Sequence, residues 1–269
     1  MDGADRITCD YLIIGSGLAG LTAALKAAAY GRVIVVTKAA ADECNTKYAQ
    51  GGIACVITEE DRFESHVQDT LNAGAGLCHP DVVRDIVRAG PDRVRDLENW
   101  GLHFTRRGDI SDEVTGHDAD EFDLGREGGH TRRRVLHAGD ITGRAIINVL
   151  VARCREVPNI TLLENHLAVD LISTRHIRWQ GENRCLGAYV MDRNTGRIHT
   201  FLSRFTFLAT GGAGKVYLYT SNPDVASGDG VALAYRASAE IRNMEFYQFH
   251  PTCLYHPEAK SFLISEAVR

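Results

Sequence analysis

The sequence has 269 residues, 44% hydrophobic and 24% charged, so it is long enough for one large domain, or for one domain and part of another. The formal net charge of −5 gives no general attraction to nucleic acid or to an anionic membrane surface. No apolar run approaches the roughly 20 residues that span a bilayer, and the N-terminus lacks the apolar stretch of a secretory signal, so we expect a cytoplasmic protein.

The seven cysteines are odd in number and far apart, and no Cys-x-x-Cys spacing occurs among them. This distribution argues against a disulfide framework, a thiolate zinc site and an iron–sulfur cluster. We therefore expect reduced thiols and no metal site.

The chain opens with the pattern of a βαβ unit. A buried strand is predicted over residues 9–14, a helix over residues 18–30 and a β-branched strand over residues 33–37. Gly31 is expected to end the helix in the left-handed backbone geometry that glycine favours.

A glycine-rich turn joins the first strand to the helix. Gly15, Gly17 and Gly20 have the Gly-x-Gly-x-x-Gly spacing of dinucleotide-binding folds, in which the glycines allow a tight turn, approach of a pyrophosphate and packing of helix on strand. The helix N-terminus would also attract the phosphates. The alternative is a glycine-rich turn in an α/β fold without a nucleotide. The predicted cofactor contacts here are Gly15, Ser16, Gly17, Leu18, Ala19 and Gly20.

The second strand lacks the acidic residue that binds a ribose in NAD-binding folds, because Thr37 and Lys38 stand at its end. This departure disfavours NAD, and Lys38 could instead contact a phosphate or the adenosine end of a cofactor. The segment that follows offers main-chain donors and small side chains, as an isoalloxazine ring requires. A strand with a glycine bulge is the alternative interpretation. Its residues are Asn45, Thr46, Lys47, Tyr48, Ala49, Gln50, Gly51 and Gly52.

The remaining patterns predict a mixed α/β chain. Helices are expected over residues 61–73, 81–100, 141–156 and 228–237, and a long, glycine- and charge-rich loop over residues 104–130. Strands are expected over residues 160–163, 169–174, 185–192, 197–202 and 205–210, with a hairpin turn at 194–196.

Two polar segments are candidates for substrate contact. Glu127 lies between an arginine and two glycines on the long loop, which favours a site residue. The arginines at 132–134 could recognise carboxylates, although we favour a solvated basic loop for them. His250 stands among aromatic residues, where a histidine is more often packed in a core than catalytic.

Seven motifs occur in the order found in the succinate dehydrogenase/fumarate reductase flavoprotein superfamily, which the chain resembles over nearly its whole length. Within that superfamily it is most similar to the L-aspartate oxidase branch. The motifs are residues 15–20, 45–52, 126–130, 209–212, 227–230, 249–252 and 265–269.

Two positions separate the branches of this superfamily. Asn45 stands where succinate dehydrogenases carry the histidine that bonds covalently to FAD, so the resemblance implies noncovalent FAD. Glu127 matches a glutamate that pairs with the α-amino group of aspartate, whereas a dicarboxylate without an amine would meet a like charge there. Both positions favour aspartate over succinate as the substrate.

The resemblance also implies roles further along the chain. Ala168 would meet the adenine through its backbone, and Asp229 would hydrogen-bond the flavin side of the cofactor. His250 would bind a substrate carboxylate, Ser265 would keep the hydroxyl of the family's threonine, and Glu266 would orient nearby basic groups. The implied cofactor contacts in this part are Leu167, Ala168, Gly211 and Asp229, and the implied catalytic residues are Glu127, His250, Ser265 and Glu266.

The implied fold is a Rossmann-like α/β FAD-binding domain with a βαβ opening and an inserted β-hairpin. We expect it to occupy residues 1–242, without its C-terminal part, and to be followed at 243–269 by the start of a substrate-capping domain. The family continues for roughly as many residues again and places its proton-transferring arginine beyond 269. We therefore expect the chain to stop in mid-domain and not to turn over aspartate alone.

The implied reaction is the oxidation of L-aspartate to iminoaspartate, with oxygen or fumarate as electron acceptor. In bacteria this is the first step of de novo NAD biosynthesis, which makes quinolinate synthase a candidate partner. Two alternatives stay open: a soluble fumarate reductase with noncovalent FAD, and a non-catalytic FAD-binding fragment.

Overall fold

The computed structural model describes residues 6–111, 113, 116–139, 141–250, 252–256 and 262–264. Contacts divide the chain into two units, one formed by residues 6–48 and 150–264 and the other by residues 49–149. The glycine-rich turn at 15–20 belongs to the first unit, and Glu127 belongs to the second. The boundary predicted at residue 242 stays a prediction.

The strands and helices alternate through much of the chain. In chain order the strands are β1 (Arg6–Ile14), β2 (Val33–Val36), β3 (Ile53–Ala54), β4 (Leu124–Gly125), β5 (Val135–Leu136), β6 (Ile160–Leu163), β7 (His166–Ser173), β8 (Cys185–Asp192), β9 (Ile198–Leu208), β10 (Cys253–Leu254) and β11 (Phe262–Leu263). The helices are α1 (Leu18–Ala27), α2 (Phe63–Ala73), α3 (Pro80–Asn99), α4 (Arg107–Ile110), α5 (Thr142–Glu156) and α6 (Asp229–Arg236). No helix within the described ranges is long and apolar enough to cross a membrane.

The first unit is built on a six-stranded sheet in the order β6-β2-β1-β9-β8-β7. The first four strands of that order are parallel, and β8 and β7 continue the sheet antiparallel. Ile14 lies opposite both Val36 and Leu208, so β1, β2 and β9 end at the same level. This shared carboxyl edge is where open α/β sheets bind ligands.

The core of the first unit forms around β1 and β2. All four residues of β2 are buried, as expected of a central parallel strand covered on both faces. Leu12, Val190 and Phe201 are fully buried beside them, and α6 contributes Leu233. Each such side chain stabilises the fold by about 1.5–3 kcal/mol relative to exposure.

The long strand β9 differs from the prediction of two separate strands at 197–202 and 205–210. It runs unbroken from Ile198 to Leu208 because it pairs with β1 over the whole length of β1. The expectation that residues 205–210 form a buried strand is wrong for Phe205 and Phe207, which are 56% and 48% exposed. The hairpin turn expected between β8 and β9 is confirmed, with the Gly196 N–H donating to the Asp192 oxygen at 2.8 Å.

The end of α1 also differs from expectation. The helix stops at Ala27, and Gly31 does not have a left-handed backbone. A Cβ at Gly31 would overlap the Asp10 carboxylate, which accepts a hydrogen bond from the Arg32 N–H at 2.9 Å. Glycine is therefore needed here for close approach of a side chain, and not for its freedom to adopt a positive φ.

The second unit combines helices with a small antiparallel sheet in the order β3-β5-β4. Val56, Val67 and Val87 form a buried cluster that brings α2 and α3 together. Pro80 is the first residue of α3, one position before the predicted start, and its missing N–H costs no intrahelical hydrogen bond there.

The antiparallel hairpin of the first unit contains a glycine that the fold cannot replace. Gly187 in β8 has φ +142°, and a Cβ there would overlap the Phe201 carbonyl. We expect Gly187→Ala to lower the free energy of unfolding by about 3 kcal/mol, measured by urea denaturation. Gly196→Ala is the matched control, because Gly196 also has a positive φ (+73°) but has no atom within 4 Å of its Cβ position. We expect it to cost only about 1 kcal/mol, and equal losses would contradict the close-approach argument.

Candidate FAD-binding site

The glycine-rich turn is held to both neighbouring strands of the sheet. The Gly15 N–H donates to the Val36 oxygen at 2.9 Å, and the Ala209 N–H donates to the Ile14 oxygen at 2.8 Å. Gly15 has φ +111°, and a Cβ there would overlap the Ala209 carbonyl. The turn therefore leaves the sheet edge along a path that only glycine can follow.

The other two glycines of the motif play different parts. A Cβ at Gly20 would overlap the Gly15 carbonyl, so Gly20 lets α1 pack directly on the turn. At Gly17, by contrast, the nearest atom to a Cβ would be Thr46 Oγ1 at 3.6 Å. The protein itself leaves room at Gly17, which fits the close approach of a pyrophosphate to the backbone there.

The N-terminus of α1 carries no acidic residue in its first turn and no side-chain cap from Gly17. Its partial positive charge is therefore available to an anion. Thr46 Oγ1 accepts a hydrogen bond from the Leu18 N–H at 3.2 Å, which brings the second predicted motif to the start of this helix. Buried Ser16 donates from Oγ to Thr37 Oγ1 at 2.9 Å, tying the turn to the end of β2.

The first half of the predicted flavin segment is a 3₁₀ turn, Asn45–Tyr48. The Asn45 amide nitrogen lies 3.7 Å from the Cβ position of Gly211, so two of the predicted contacts are adjacent. The Lys47 Nζ lies 2.6 Å from Asp42 Oδ2, and this hydrogen bond is the main cause of the raised pKa of Lys47. Tyr48 donates to Glu43 at 2.9 Å. The side chains of Lys47 and Tyr48 therefore fix the turn, and its backbone is the part that suits cofactor contact.

Lys38 and Asp229 form an ion pair that sequence analysis did not anticipate. Lys38 Nζ lies 2.5 Å from Asp229 Oδ2 and also donates to Ser227 Oγ. Lys38 follows β2, whereas Asp229 is the first residue of α6. The structure thus brings two predicted cofactor contacts together from residues 191 positions apart.

Leu167 and Ala168 lie in β7, next to an irregularity in its pairing. The register of β7 against β8 shifts between Ala168 and Asp170. A bulge turns backbone groups away from the regular ladder, which suits the predicted backbone contact of Ala168 with an adenine. The start of β7 is fixed by the His166 N–H, which donates to the Thr37 oxygen at 2.8 Å.

The second half of the flavin segment, residues 49–52, belongs to the second unit. The Ala49 oxygen accepts a hydrogen bond from the Gly143 N–H at 3.0 Å. A Cβ at Gly52 would overlap the Leu136 carbonyl of β5. Packing on β5 therefore accounts for glycine at position 52. Contacts of Gln50 and Gly51 with a cofactor stay predictions.

Glu127 lies at the tip of the hairpin that joins β4 to β5. The His130 N–H donates to the main-chain carbonyl oxygen of Glu127 at 3.2 Å, and Gly129 has φ +84°. Together they close a tight turn. Glu127 is exposed, and no residue in the described part of the chain pairs with its carboxylate. The turn thus presents an unpaired carboxylate for a ligand.

Arg134 corrects the expectation that residues 132–134 form a solvated basic loop. Arg132 and Arg133 are exposed, but Arg134 is fully buried. Its Nε and Nη2 donate to the two oxygens of Asp61 at 2.7 and 2.8 Å, and its Nη1 donates to Asp69 Oδ2 at 2.6 Å. Arg134 does bind carboxylates, but they are carboxylates of the same chain.

Two histidines lie beside this buried cluster. The rings of His66 and His130 are 5.7 Å apart, edge to face, and His66 Nδ1 has no hydrogen-bond partner among the residues that are described. Burial, followed by the charges of Arg134 and His130, lowers the pKa of His66. The His66 imidazole is therefore neutral at pH 7 and adds no charge to the cluster.

His250 is held in one tautomer by Thr252. The Thr252 N–H and hydroxyl lie 3.3 and 3.1 Å from His250 Nδ1. Because a backbone N–H can only donate, Nδ1 is an acceptor and the neutral ring carries its proton on Nε2. The two remaining predicted catalytic residues, Ser265 and Glu266, lie outside the described residues.

The carboxyl edge of the first unit, with its glycine turn, a helix whose first turn carries no acidic residue, and its strand-end lysine, has the features of a dinucleotide-binding flavoprotein domain. The sequence matches the family model described as FAD binding domain over residues 10–269. The chain belongs to this family, and its cofactor is FAD.

Similar proteins narrow the class further. An L-aspartate oxidase from Pseudomonas aeruginosa is 52% identical over 262 residues, which are 97% of this chain and 48% of that protein. An L-aspartate oxidase from Yersinia pestis is 45% identical over 269 residues, 100% of this chain and 49% of that protein. The chain thus resembles L-aspartate oxidases and spans about half the length of the curated relatives it matches.

Solved structures confirm the fold. A mutant E. coli quinol fumarate reductase FrdA chain has a TM-score of 0.83 at 30% identity, covering 97% of this chain and 42% of that chain. The Mycobacterium smegmatis Sdh1 complex in its apo form has a TM-score of 0.85 at 33% identity, covering 98% of this chain and 44% of that chain.

The open space at Gly17 leads to a first prediction for this site. Gly17→Ala should weaken FAD binding about tenfold or more, because a methyl group would stand where the pyrophosphate approaches the backbone. The apoprotein should lose no more than about 1 kcal/mol of stability, since the methyl has room and only the helix cap is altered. Flavin fluorescence titration and urea denaturation measure the two effects. Unchanged affinity would show that the pyrophosphate does not approach Gly17.

Asn45 leads to a second prediction, that FAD is bound noncovalently. An asparagine amide cannot form the bond that the family's linking histidine makes to the flavin. After acid precipitation of the FAD-loaded protein, the yellow flavin should stay in the supernatant. Flavin that remains on the polypeptide, detected as an added mass in its peptides, would contradict this prediction.

Proposed function

We propose that this protein oxidises L-aspartate to iminoaspartate with noncovalently bound FAD. The observation that carries the proposal is the exposed carboxylate of Glu127, which has no partner among the described residues and lies on the turn of the Arg-Glu-Gly-Gly-His segment. The resemblance to L-aspartate oxidases from several bacteria supports it.

The residues of the first unit hold the cofactor in this proposal. The turn at 15–20 and the N-terminus of α1 bind the pyrophosphate, and Lys38, Ala168 and Asp229 contact the rest of the molecule. When bound, FAD supplies the electron acceptor for oxidation of the substrate Cα–N bond. The protein's own task is to orient an amino dicarboxylate.

Two side chains of this protein recognise the substrate in this proposal. Glu127 pairs with the α-ammonium group, and this charge-assisted hydrogen bond distinguishes aspartate from a dicarboxylate without an amine. His250 donates from Nε2 to a substrate carboxylate, since Thr252 holds its Nδ1 as an acceptor. In this proposal Ser265 makes the hydroxyl contact of the family's threonine, and Glu266 orients nearby basic groups.

The proposal extends to the setting of the reaction. Oxygen or fumarate would reoxidise the cofactor, and the product would enter de novo NAD biosynthesis in the cytoplasm. Quinolinate synthase would then use the product and is the proposed partner.

A second candidate function is a soluble fumarate reductase. The specific observation in its favour is the close fold match to quinol fumarate reductase FrdA, with a TM-score of 0.83. The two functions differ in whether the site must bind an amine, and this difference makes Glu127 the residue to test.

We expect Glu127→Gln, in the natural full-length protein, to weaken aspartate oxidation while sparing or improving fumarate reduction. A charge-assisted hydrogen bond contributes about 1.5–3 kcal/mol, so kcat/KM for aspartate should fall about tenfold or more. Fumarate has no ammonium group, and loss of the Glu127 charge relieves repulsion of its carboxylates. Both activities are measured by steady-state kinetics with FAD in excess.

Glu121→Gln is the matched control for this prediction. Glu121 is an exposed glutamate of the same unit whose partner is Arg107, at 2.8 Å, and exposed pairs contribute little. Its substitution should leave the ratio of aspartate oxidation to fumarate reduction unchanged. If Glu127→Gln also leaves that ratio unchanged, Glu127 is not the amine-binding residue.

A further inference from the structure

The loop that carries Glu127 is hydrogen-bonded to α2 through the carboxylate of Asp69. Asp69 Oδ2 accepts hydrogen bonds from both the N–H and the hydroxyl of Thr131, each at 2.9 Å. Thr131 directly follows His130, whose N–H closes the turn on the Glu127 oxygen. Two sets of hydrogen bonds therefore connect α2 to the Glu127 turn: those between Asp69 and Thr131, and the one between the His130 N–H and the Glu127 main-chain carbonyl.

Arg134 makes this anchor rigid. Its Nη1 lies 2.6 Å from the same Asp69 oxygen, and its other nitrogens are bound to Asp61 and, at 3.2 Å, to Ser65 Oγ. Ser65 Oγ in turn lies 3.0 Å from Thr131 Oγ1. The guanidinium, both carboxylates and the Thr131 hydroxyl thus form one connected network in the second unit.

Charge and burial explain why this network holds one arrangement. Arg134 is fully buried, and Asp61 and Asp69 are each 7% exposed. Burial raises the pKa of Asp69, but its hydrogen bonds from Thr131 and Arg134 outweigh burial and lower the pKa overall. Asp69 therefore stays ionised at neutral pH and keeps accepting both Thr131 bonds.

We propose that Asp69 is a positioning residue that fixes the Glu127 turn and thereby sets the preference of the site for a substrate with an α-ammonium group. This inference rests on the proposed function of Glu127. Asp69 touches neither substrate nor cofactor in this proposal and acts through Thr131. Asp61 serves as its counterpart, because it pairs with the same Arg134 but makes no hydrogen bond to the loop at 126–133.

The test compares Asp69→Asn with the matched control Asp61→Asn in the natural full-length protein. Both variants lose one charge beside Arg134, so both should be less stable. Only Asp69→Asn should speed amide hydrogen exchange in the peptide at 126–133 and lower kcat/KM for aspartate, by about tenfold, relative to fumarate reduction. The proposal would be overturned if the two variants had equal effects on hydrogen exchange at 126–133 and on the ratio of aspartate oxidation to fumarate reduction.

Two further variants keep the test sharp if Asp69→Asn folds poorly. Thr131→Val removes the hydroxyl bond to Asp69 without altering the ion pairs, and Thr131→Ser retains that hydroxyl. Thr131→Val should lower the ratio of aspartate oxidation to fumarate reduction, whereas Thr131→Ser should keep that ratio near the value of the unaltered protein. Equal ratios in the valine and serine variants would overturn the proposal.

Combination with Glu127→Gln separates failure of the proposal from failure of the proposed function. If Asp69 acts through Glu127, then Asp69→Asn should not lower aspartate oxidation further in the Glu127→Gln background. A full additional tenfold loss there would overturn the proposal while leaving Glu127 as the amine partner. If Glu127→Gln alone has no effect, the proposed function fails, and hydrogen exchange at 126–133 then decides whether Asp69 fixes the turn.

Discussion

The approach of the Gly15 backbone to the Ala209 carbonyl is the constraint on which the candidate FAD-binding site depends. It is possible only because no Cβ stands at Gly15 and because β1, β2 and β9 end in register. All the nearby candidate contacts follow from that shared edge. The start of α1, Lys38 and Gly211 each lie within a few residues of a strand end, so a change in strand spacing would displace them together.

The second unit depends on a different kind of interaction, a buried guanidinium between two carboxylates. Arg134 makes hydrogen bonds to both Asp61 and Asp69, so its burial is not an uncompensated charge. Buried ion pairs are weak evidence for stability, because desolvation offsets much of their attraction. What they do specify is geometry, since Nε and Nη2 of Arg134 bind Asp61 while Nη1 binds Asp69. Ion pairs of Arg134 thus fix the hairpin that carries Glu127. The glycine turn, by contrast, is fixed by the close approach of its backbone to Ala209.

The parts of the fold that sequence predicts are those set by local patterns. The βαβ opening, the tight turn at Gly15 and the hairpin turn at 194–196 depend on residues close in sequence, and the structure confirms these local features. Contact of the glycine turn with FAD stays a prediction. The sequence pattern predicts two strands where the structure has only β9, because Ser203 and Arg204 interrupt the apolar pattern. Its continuity comes from pairing with β1, which lies almost 200 positions earlier.

The ionic contacts were missed for the same reason. Three consecutive arginines look solvated, and only the fold brings Asp61 and Asp69, 73 and 65 positions away, to Arg134. The sequence does contain a signal for this cluster: Asp61 and Asp69 are about two helical turns apart, and Arg134 directly precedes an apolar strand. That signal is weak, because surface helices commonly carry acids at such spacings.

The pair formed by Lys38 and Asp229 shows how the site accommodates the missing strand-end acid. In NAD-binding folds a carboxylate at the end of the second strand accepts hydrogen bonds from the ribose. Here the strand end supplies a cation, and the carboxylate comes from the first turn of α6, where the helix dipole favours it. Both side chains are partly exposed, so the pair contributes about 1 kcal/mol at most to stability. Its larger consequence is chemical, because the same edge offers a donor suited to phosphate and an acceptor suited to hydroxyl groups.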